Sequence, residues 1–485
     1  MSDEFDAVVS RVREWASPGD GERRRLQRAA ATVMARAREA VADLPVEAEV
    51  LQVGSTARGT WTAGDRDVDV FVAFPPGLER GELEQHGLDV GHAVLPDGHE
   101  EYAEHPYVVG EVDGYAVDLV PCYAVDEATA IQSAVDRTPF HTRYLAGRLD
   151  DALAAEVRVT KQFLKGIGVY GSDLRTRGFS GYLTELLTVE YGGFRAFVEA
   201  AADWHPPVEL DPEAHGTVAF DDPLVVVDPT DPERNVAAVC SADNVARLQH
   251  YARELLADPR ESLFEPSEPA AYDADAVAAA VARRDTTPVA VRFARPDVVE
   301  DQLWPQLRKS LAGLTEELDR RGFDVFRATA LADDGAGGSD DPHATDGAGG
   351  SDDPHATDGE ATDQRERGTA ALLVELAVAE RPAVERHEGP PVHVRDHATG
   401  FYEAYADDPD VAGPYIDGDR YVVERPREFR TARAFLDSDA VLDVRLGPHV
   451  ASALEDGYEV LAGAEIAGLA DSFGVELADY FEPSP

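Results

Sequence analysis

The stretch VGSTARGT at residues 53–60 is followed by DVDV at residues 67–70. Residues i and i+2 of a β-strand point to the same face, so Asp67 and Asp69 are predicted to project together while the valines face the core. Their Cα atoms would lie about 6.6 Å apart at ~3.3 Å per residue. That spacing suits carboxylates that share two divalent ions about 3.5–4 Å apart. A solvated acidic strand is the alternative, and these residues alone leave both interpretations open.

A third carboxylate lies in the apolar segment YAVDLV at residues 115–120, which is predicted to be a strand that Pro121 ends. An aspartate in such a strand is disfavoured unless something charged lies opposite it. Asp118 is therefore the candidate that completes a metal-binding set with Asp67 and Asp69.

The residues before DVDV are typical of a phosphate-binding turn. A strand predicted at residues 49–53 leads into Gly54, and a glycine at that position lets backbone amides approach a phosphate. The Ser55 hydroxyl can add a hydrogen bond, and Arg58 can add a positive charge. A nucleotidyl transfer site is favoured because four features occur in order: Gly-Ser, Arg-Gly, Asp-x-Asp and a third strand carboxylate.

The composition indicates a globular protein from a saline environment. The 485 residues are 44% apolar, yet the formal net charge is −50 and the chain contains three lysines, Lys161, Lys165 and Lys309. Charge screening shrinks to about 3 Å in 1 M salt, so such self-repulsion becomes tolerable there. The charge therefore predicts a halophilic source. The chain also has two cysteines, no signal-peptide core and no long apolar run, and these features predict a soluble, cytoplasmic protein.

The pattern of helices and strands predicts an α+β multidomain protein. We expect a catalytic head of mixed sheet and helices at 1–148, a helical central domain at 149–285 and an α+β C-terminal region at 286–485. The C-terminal region contains the tandem repeat DGAGGSDDPHAT at 334–345 and 346–357. Its composition cannot bury a core, so a disordered acidic insertion is predicted at about 333–364, and its two histidines are not favoured as a metal tract.

Four segments resemble a known family. GSTARGTWTAGDRDVDVFVAFP at 54–75 resembles the signature of the polymerase-β-like nucleotidyltransferases. The resemblance is specifically to the archaeal, class I CCA-adding enzymes (tRNA nucleotidyltransferases), through RTPFHTRYL at 137–145, KQFLKGIGVYGSDLRTRGFSGYLTELLTVEYGGF at 161–194 and DPTDPERNVAAVCS at 228–241. It covers roughly the first half of the chain, and the C-terminal half is similar only in its α+β character.

The resemblance implies a role for each matching residue. The catalytic, metal-binding carboxylates are Asp67, Asp69 and Asp118, with two Mg²⁺ ions per active site. The contacts to the triphosphate of ATP or CTP are Ser55, Arg58, His141, Lys161 and Tyr170, and Arg234 takes part in reading the base. The partners are the acceptor arm and 3′ end of tRNA, and a homodimer is implied. As a CCA-adding enzyme the protein would add and repair the terminal CCA of tRNA without a nucleic-acid template, releasing pyrophosphate.

Several of these residues have ordinary structural alternatives. The residue types alone favour a surface or capping position for His141 and a core position for Tyr170, and Arg234 is also suited to a salt bridge. Lys165, four residues beyond Lys161 on the same helix face, is a competing phosphate ligand. The sequence alone leaves these alternatives open.

The net charge is the main objection to an RNA substrate, because an acidic protein repels phosphates at low salt. Screening in molar salt weakens this objection, and arginines can still gather locally. Two candidate clusters are LRTRGF, with Arg175 and Arg177, and ERPREFRTAR, with Arg425, Arg427, Arg430 and Arg433.

Other functions remain to be distinguished from CCA addition. A poly(A) polymerase or a small-molecule nucleotidyltransferase could use the same opening motif. A catalytically inactive RNA-binding relative would be expected to lack a carboxylate, and an unrelated acidic solute-binding protein would not explain the ordered motifs.

Overall fold

The computed structural model describes residues 2–102, 104–267, 269–333 and 368–485. The chain forms two compact units, Met1–Ser267 with Pro485, and Glu268–Ser484. Helices and several mixed or antiparallel sheets occur in both, so the predicted α+β multidomain class is confirmed. The finer division at residues 148 and 285 stays a prediction, and the repeat at 334–357 lies outside the described residues.

The first unit contains nine α-helices and eight β-strands among its described residues. The helices are α1 (Ser2–Ala16), α2 (Asp20–Ala42), α3 (Gly54–Arg58), α4 (Arg80–Val94), α5 (Thr138–Ala146), α6 (Asp151–Gly166), α7 (Gly181–Tyr191), α8 (Phe194–Ala202) and α9 (Ala242–Ala257). The strands are β1 (Glu49–Gln52), β2 (Asp67–Phe74), β3 (His99–Tyr102), β4 (Pro106–Val112), β5 (Tyr115–Tyr123), β6 (Val208–Leu210), β7 (Leu224–Asp228) and β8 (Asp231–Asn235).

Strands β1 to β5 form one sheet in the order β1-β2-β5-β4-β3. Only β2 and β5 run parallel, and their register pairs Asp69 with Asp118. The alternate valines of β2, Val68 and Val70, are buried against α2 and α4 in one apolar core. The helix predicted between residues 20 and 44 is α2, which buries the apolar face expected of it: Leu26, Ala30, Val33, Met34 and Ala37.

Two local predictions about this sheet were wrong. Strand β5 does not end at Pro121 but continues to Tyr123. The proline is tolerated because the pairing of β5 with β4 stops at Leu119, so one side of the strand makes no ladder there. The expected Gly-Ser turn is instead the start of the short helix α3, which Gly54 begins with a φ of +72°.

A separate apolar core joins α1 to the helices α6 to α9. The mostly helical segment predicted after residue 150 is therefore present, although it also contains the small sheet of β6, β7 and β8. Both cysteines, Cys122 and Cys240, are buried free thiols, as the sequence predicts for a chain without a disulfide framework.

The second unit has six helices and seven strands in its described part. The helices are α10 (Ala274–Arg284), α11 (Glu300–Arg320), α12 (Arg395–Tyr405), α13 (Ala432–Leu436), α14 (Pro448–Asp456) and α15 (Ala470–Phe481). The strands are β9 (Thr287–Ala294), β10 (Val325–Ala332), β11 (Thr369–Leu376), β12 (Val384–Pro391), β13 (Ala412–Asp417), β14 (Arg420–Pro426) and β15 (Tyr458–Ala462). They form a four-stranded sheet, β10-β11-β9-β15, and a three-stranded sheet, β12-β14-β13.

Among the described residues, no helix is both long enough and apolar enough to cross a membrane.

Candidate active site

Three aspartates meet on the adjacent strands β2 and β5. Asp69 and Asp118 are direct neighbours in the parallel register, and Asp67 lies two residues before Asp69 on the same face. Asp67 is the most exposed of the three but still partly covered, and the other two are half-buried. The predicted juxtaposition of the three carboxylates is thus present in the sheet.

The electrostatics of the three carboxylates reflect burial beside like charges. Burial, followed by the nearby charge of Asp69, raises the pKa of Asp118 to about 7. The pKa of Asp69 is raised mainly by burial and secondly by the charge of Asp67. The pKa of Asp67 is raised mainly by burial and secondly by the charge of Asp65. The protein therefore only partly compensates the negative charge of these three carboxylates when they are ionised.

The cations near the three aspartates form ion pairs with other acids. Arg58 and Lys161 both pair with Glu185, and Lys165 pairs with Asp65. Within the described ranges no group of three or more His, Cys, Asp or Glu side chains is placed so that it could hold a metal ion by itself. The three aspartates nevertheless supply hard oxygen donors, the ligand type that divalent cations such as Ca²⁺ and Mg²⁺ prefer, and a metal ion here would need further ligands.

Gly54 is required where α3 passes over the carboxylates. Besides its φ of +72°, a Cβ atom at this position would lie 1.8 Å from Oδ2 of Asp69. Absence of a side chain therefore lets the start of α3 lie directly against a candidate metal ligand. Ser55 follows, half-buried, and its carbonyl accepts a hydrogen bond from the Thr60 amide at 3.0 Å.

Gly54→Ala is expected to displace the Asp69 carboxylate and to lower kcat by about 10- to 100-fold. Gly59→Ala is a matched control, since Gly59 has nearly the same φ, +70°, but nothing lies within 4 Å of its Cβ position. Both variants carry a similar backbone strain, about 1–2 kcal/mol. Steady-state kinetics and thermal melting of both should separate the effects, and equal kcat values would contradict the proposed role of the close approach.

Glu185 organises a buried network that the sequence did not single out. It lies on α7, is 0% exposed, and its Oε2 accepts from Nε of Arg58 at 2.5 Å. Its Oε1 accepts from Nζ of Lys161 at 2.9 Å and from the Thr60 hydroxyl at 2.6 Å. Burial alone would raise the pKa of Glu185, but Lys161 and Arg58 lower it to about 2. This carboxylate therefore stays ionised and fixes two proposed phosphate-binding cations.

The structure distinguishes the two lysines of α6. Lys161 is 2% exposed and directed into the Glu185 network, while Lys165 is part-exposed. Nζ of Lys165 lies 3.1 Å from both Oγ1 of Thr62 and Oδ1 of Asp65, and 5.4 Å from the ring centre of Tyr170. Burial raises the pKa of Tyr170 to about 12, so its hydroxyl remains a hydrogen-bond donor.

His141 and Arg234 converge on Asp228. Nε2 of His141 and a terminal nitrogen of Arg234 each lie 2.8 Å from Oδ2 of this buried aspartate. The His141 ring also stacks on Tyr182, with centroids 3.9 Å apart. Burial lowers the pKa of His141, while Asp228 opposes that shift. The family resemblance implied different roles for His141 and Arg234, and Asp228 itself was visible as the first residue of the DPTDPERN block.

Arg158 is a further buried cation that sequence reasoning missed. Its guanidinium donates to the Gly59 carbonyl at 2.6 Å and to the Ser17 hydroxyl at 3.2 Å. Burial lowers its pKa to about 10. Arg158 thereby holds Gly59, the residue that follows α3, and no sequence motif marks Arg158.

These elements define a nucleotidyltransferase, and comparison with known families agrees. Residues 34–141 match the family "Nucleotidyltransferase domain", and residues 155–265 match "tRNA nucleotidyltransferase, second domain". Residues 284–337 and 360–463 match "CCA-adding enzyme, C-terminal domain". The chain belongs to the CCA-adding enzymes.

Full-length relatives support this membership. The chain is 69% identical to the CCA-adding enzyme of Haloarcula marismortui over 486 residues, which covers 100% of both chains. It is 59% identical to that of Halorubrum lacusprofundi, again over 100% of both, and 56% identical to that of Halobacterium salinarum over 98% of both. Among solved structures, a cytoplasmic RNA terminal U-transferase aligns with 55% of this chain and 99% of its own, at 16% identity and a TM-score of 0.42.

Proposed function

We propose that this protein completes and repairs the 3′ end of tRNA, adding CCA from CTP and ATP without a nucleic-acid template. Family membership over the full length supports the activity, and the register of Asp69 with Asp118 is the observation that supports locating it at this site. We further propose that it acts in the cytoplasm of a halophilic archaeon, contacts the tRNA acceptor arm and forms a homodimer.

The three aspartates would hold two Mg²⁺ ions. Nucleotidyltransferases use divalent metal ions, and carboxylate oxygens are of the ligand type that magnesium prefers. When bound, the ions lower the pKa of the attacking 3′-hydroxyl and neutralise the departing pyrophosphate. Asp67, Asp69 and Asp118 would supply the carboxylate oxygens that hold these ions.

The remaining site residues position the triphosphate, for which Ser55, Arg58, His141, Lys161 and Tyr170 are proposed. The charges of Arg58 and Lys161 oppose the rise in the pKa of Asp69, so they reach the site although both side chains are paired with Glu185. Lys165 is more accessible to a phosphate than Lys161, since its side chain is part-exposed. Arg234, held by Asp228, would read the incoming base.

Stepwise nucleotide addition tests the function. With Mg²⁺ in high KCl and tRNA lacking its CCA end, we expect two cytidines from CTP alone and one adenosine after ATP is added. Activity should rise with KCl into the molar range, because screening relieves repulsion between the acidic protein and RNA. Continued adenosine addition would indicate a poly(A) polymerase, and loss of activity above about 0.1 M salt would contradict the halophilic interpretation.

A further inference from the structure

One oxygen of Asp228 is shared by two residues that are proposed to contact different parts of the nucleotide. Nε2 of His141, a proposed triphosphate contact, lies 2.8 Å from Oδ2 of Asp228. A terminal nitrogen of Arg234, the proposed reader of the base, lies 2.8 Å from the same oxygen. Asp228 is 0% exposed, so its carboxylate depends on protein partners for its hydrogen bonds.

The Asp228 carboxylate is fixed in orientation by its other oxygen. Oδ1 accepts from the Thr230 amide at 2.9 Å and from the Thr230 hydroxyl at 2.8 Å. The backbone carbonyl of Asp228 lies 2.9 Å from Nε2 of His215. Because the carboxylate is held at both ends, it cannot turn toward one partner of Oδ2 without disturbing its bond to the other.

The two partners of this oxygen differ in their freedom to move. The ring of His141 stacks on that of Tyr182, with centroids 3.9 Å apart and an interplanar angle of 12°, so the ring is held at its face as well as at Nε2. The side chain of Arg234 is 34% exposed. Arg234 is therefore the partner that can respond to a ligand, whereas His141 depends on where the shared oxygen lies.

His141 lies beside the aspartates of the candidate active site. The hydroxyl of Thr142, its neighbour on α5, accepts from a terminal nitrogen of Arg58 at 3.1 Å. Arg58 is the last residue of α3, and Gly54 at the start of the same helix lies directly against the Asp69 carboxylate. A nucleotide held at the aspartates would therefore lie next to the helix that carries His141.

We propose that Asp228 is a positioning residue that couples recognition of the base to binding of the triphosphate. The proposal rests on the proposed function, in which His141 contacts the triphosphate and Arg234 reads the base. A base that engages Arg234 correctly leaves the shared oxygen in line with Nε2 of His141, and the imidazole stays oriented. A wrong base that draws Arg234 away disturbs the same oxygen, so the triphosphate contact weakens as well. Members of one buried hydrogen-bond network act non-additively in this way.

A second ion pair joins the same two elements and provides a matched control. Arg137, the residue before α5, has a terminal nitrogen 3.3 Å from Oδ2 of Asp231. Asp231 is buried and lies opposite Asp228 in the β7–β8 hairpin. Asp231→Ala therefore weakens the link between α5 and the hairpin but keeps the oxygen that His141 and Arg234 share.

A double-mutant cycle measures the coupling. The variants are His141→Ala, Arg234→Ala and both together, and the quantity is kcat/KM for CTP with tRNA lacking CCA in high KCl. We expect the loss in the double variant to be about tenfold smaller than the product of the two single losses. In an Asp228→Ala background this coupling factor should fall to within about twofold of unity, whereas Asp231→Ala should retain it.

Nucleotide selection provides a second readout, which a merely structural role of Asp228 would not change. The ratio of kcat/KM for CTP to that for UTP should fall about tenfold in Asp228→Ala, because a wrong base no longer weakens the triphosphate contact. The same ratio should stay within about twofold of wild type in Asp231→Ala. Equal ratios in the two variants would contradict the coupling role.

The cycle can also overturn the proposal without any change at Asp228. Multiplicative losses for His141→Ala and Arg234→Ala in the otherwise wild-type protein would do so, and this result stands even if thermal melting shows that Asp228→Ala does not fold. Equal coupling factors in the Asp228→Ala and Asp231→Ala backgrounds would overturn it as well. Failure of wild type to incorporate any nucleotide would refute the proposed function instead.

Discussion

Replacing Asp118 with asparagine is expected to reduce nucleotide incorporation by roughly 10³-fold or more, without unfolding the protein. The side chain keeps its size but loses the charge that would help to hold a divalent ion between β2 and β5. Because burial and Asp69 raise the pKa of Asp118 to about 7, its ionised form is disfavoured in the metal-free protein. Removing this charge should therefore leave the melting temperature unchanged or raise it.

The measurement is single-turnover addition of CTP to tRNA lacking CCA, beside a thermal melt in the same KCl buffer. Asp113→Asn is the matched control, since Asp113 is exposed in the turn between β4 and β5 and has a φ of +54° that asparagine tolerates. It should retain wild-type activity. Near-normal incorporation by Asp118→Asn would show that the three-carboxylate assignment is wrong.

Replacing Glu185 with glutamine is expected to cost about 3–5 kcal/mol of stability and to reduce activity as well. The substitution leaves Arg58 and Lys161 buried without their shared counter-ion. Activity should fall because both cations would no longer be fixed beside Asp69. Urea denaturation at constant KCl measures the first effect, and the kcat for CTP addition measures the second.

Two comparisons separate the Glu185 network from a general effect on α7. Glu190→Gln alters an exposed glutamate of the same helix and should be close to wild type. Adding Lys161→Met to Glu185→Gln should restore part of the stability, because it removes one of the stranded charges. A Glu185→Gln variant as stable as Glu190→Gln would exclude the network as a stabilising element.

The pH dependence of stability follows from the lowered pKa of Glu185. Its pKa is about 2 in the folded protein, against an ordinary value of 4.5, so its ionisation favours the folded state. That contribution is complete above pH 4.5 and is lost as the pH falls toward 2. Comparing acid titrations of wild type and Glu185→Gln should reveal the difference in this window, and identical acid dependence would contradict it.

The aspartate set was predictable because strand periodicity is local. Asp67 and Asp69 share a face for reasons of backbone geometry, and Asp118 was conspicuous in an apolar strand. Their meeting needed one further fact, the parallel pairing of β2 with β5, which no single segment encodes. The roles of these residues in catalysis remain predictions that the Asp118→Asn experiment addresses.

The supporting residues were not predictable from the sequence. Glu185 lies in an apolar helical segment, and its role depends on ion pairs with Arg58 and Lys161. These two residues are distant in sequence and become its neighbours only after folding. Arg158 was similarly hidden, because its partners are a backbone carbonyl and a serine hydroxyl. Lys161 was noticed as a rare lysine, but only the fold reveals that Lys165 is the more exposed of the two.

The burial of the Glu185 network has a consequence for life in concentrated brine. Mobile ions weaken attraction between exposed charges, so most surface pairs of this protein contribute little cohesion in molar KCl. Mobile ions cannot surround the Glu185 carboxylate, because this residue is 0% exposed. The ion pairs that link α3 to α6 and α7 are therefore protected from screening, and they keep α3 attached to the helical core at an ionic strength that weakens exposed salt bridges.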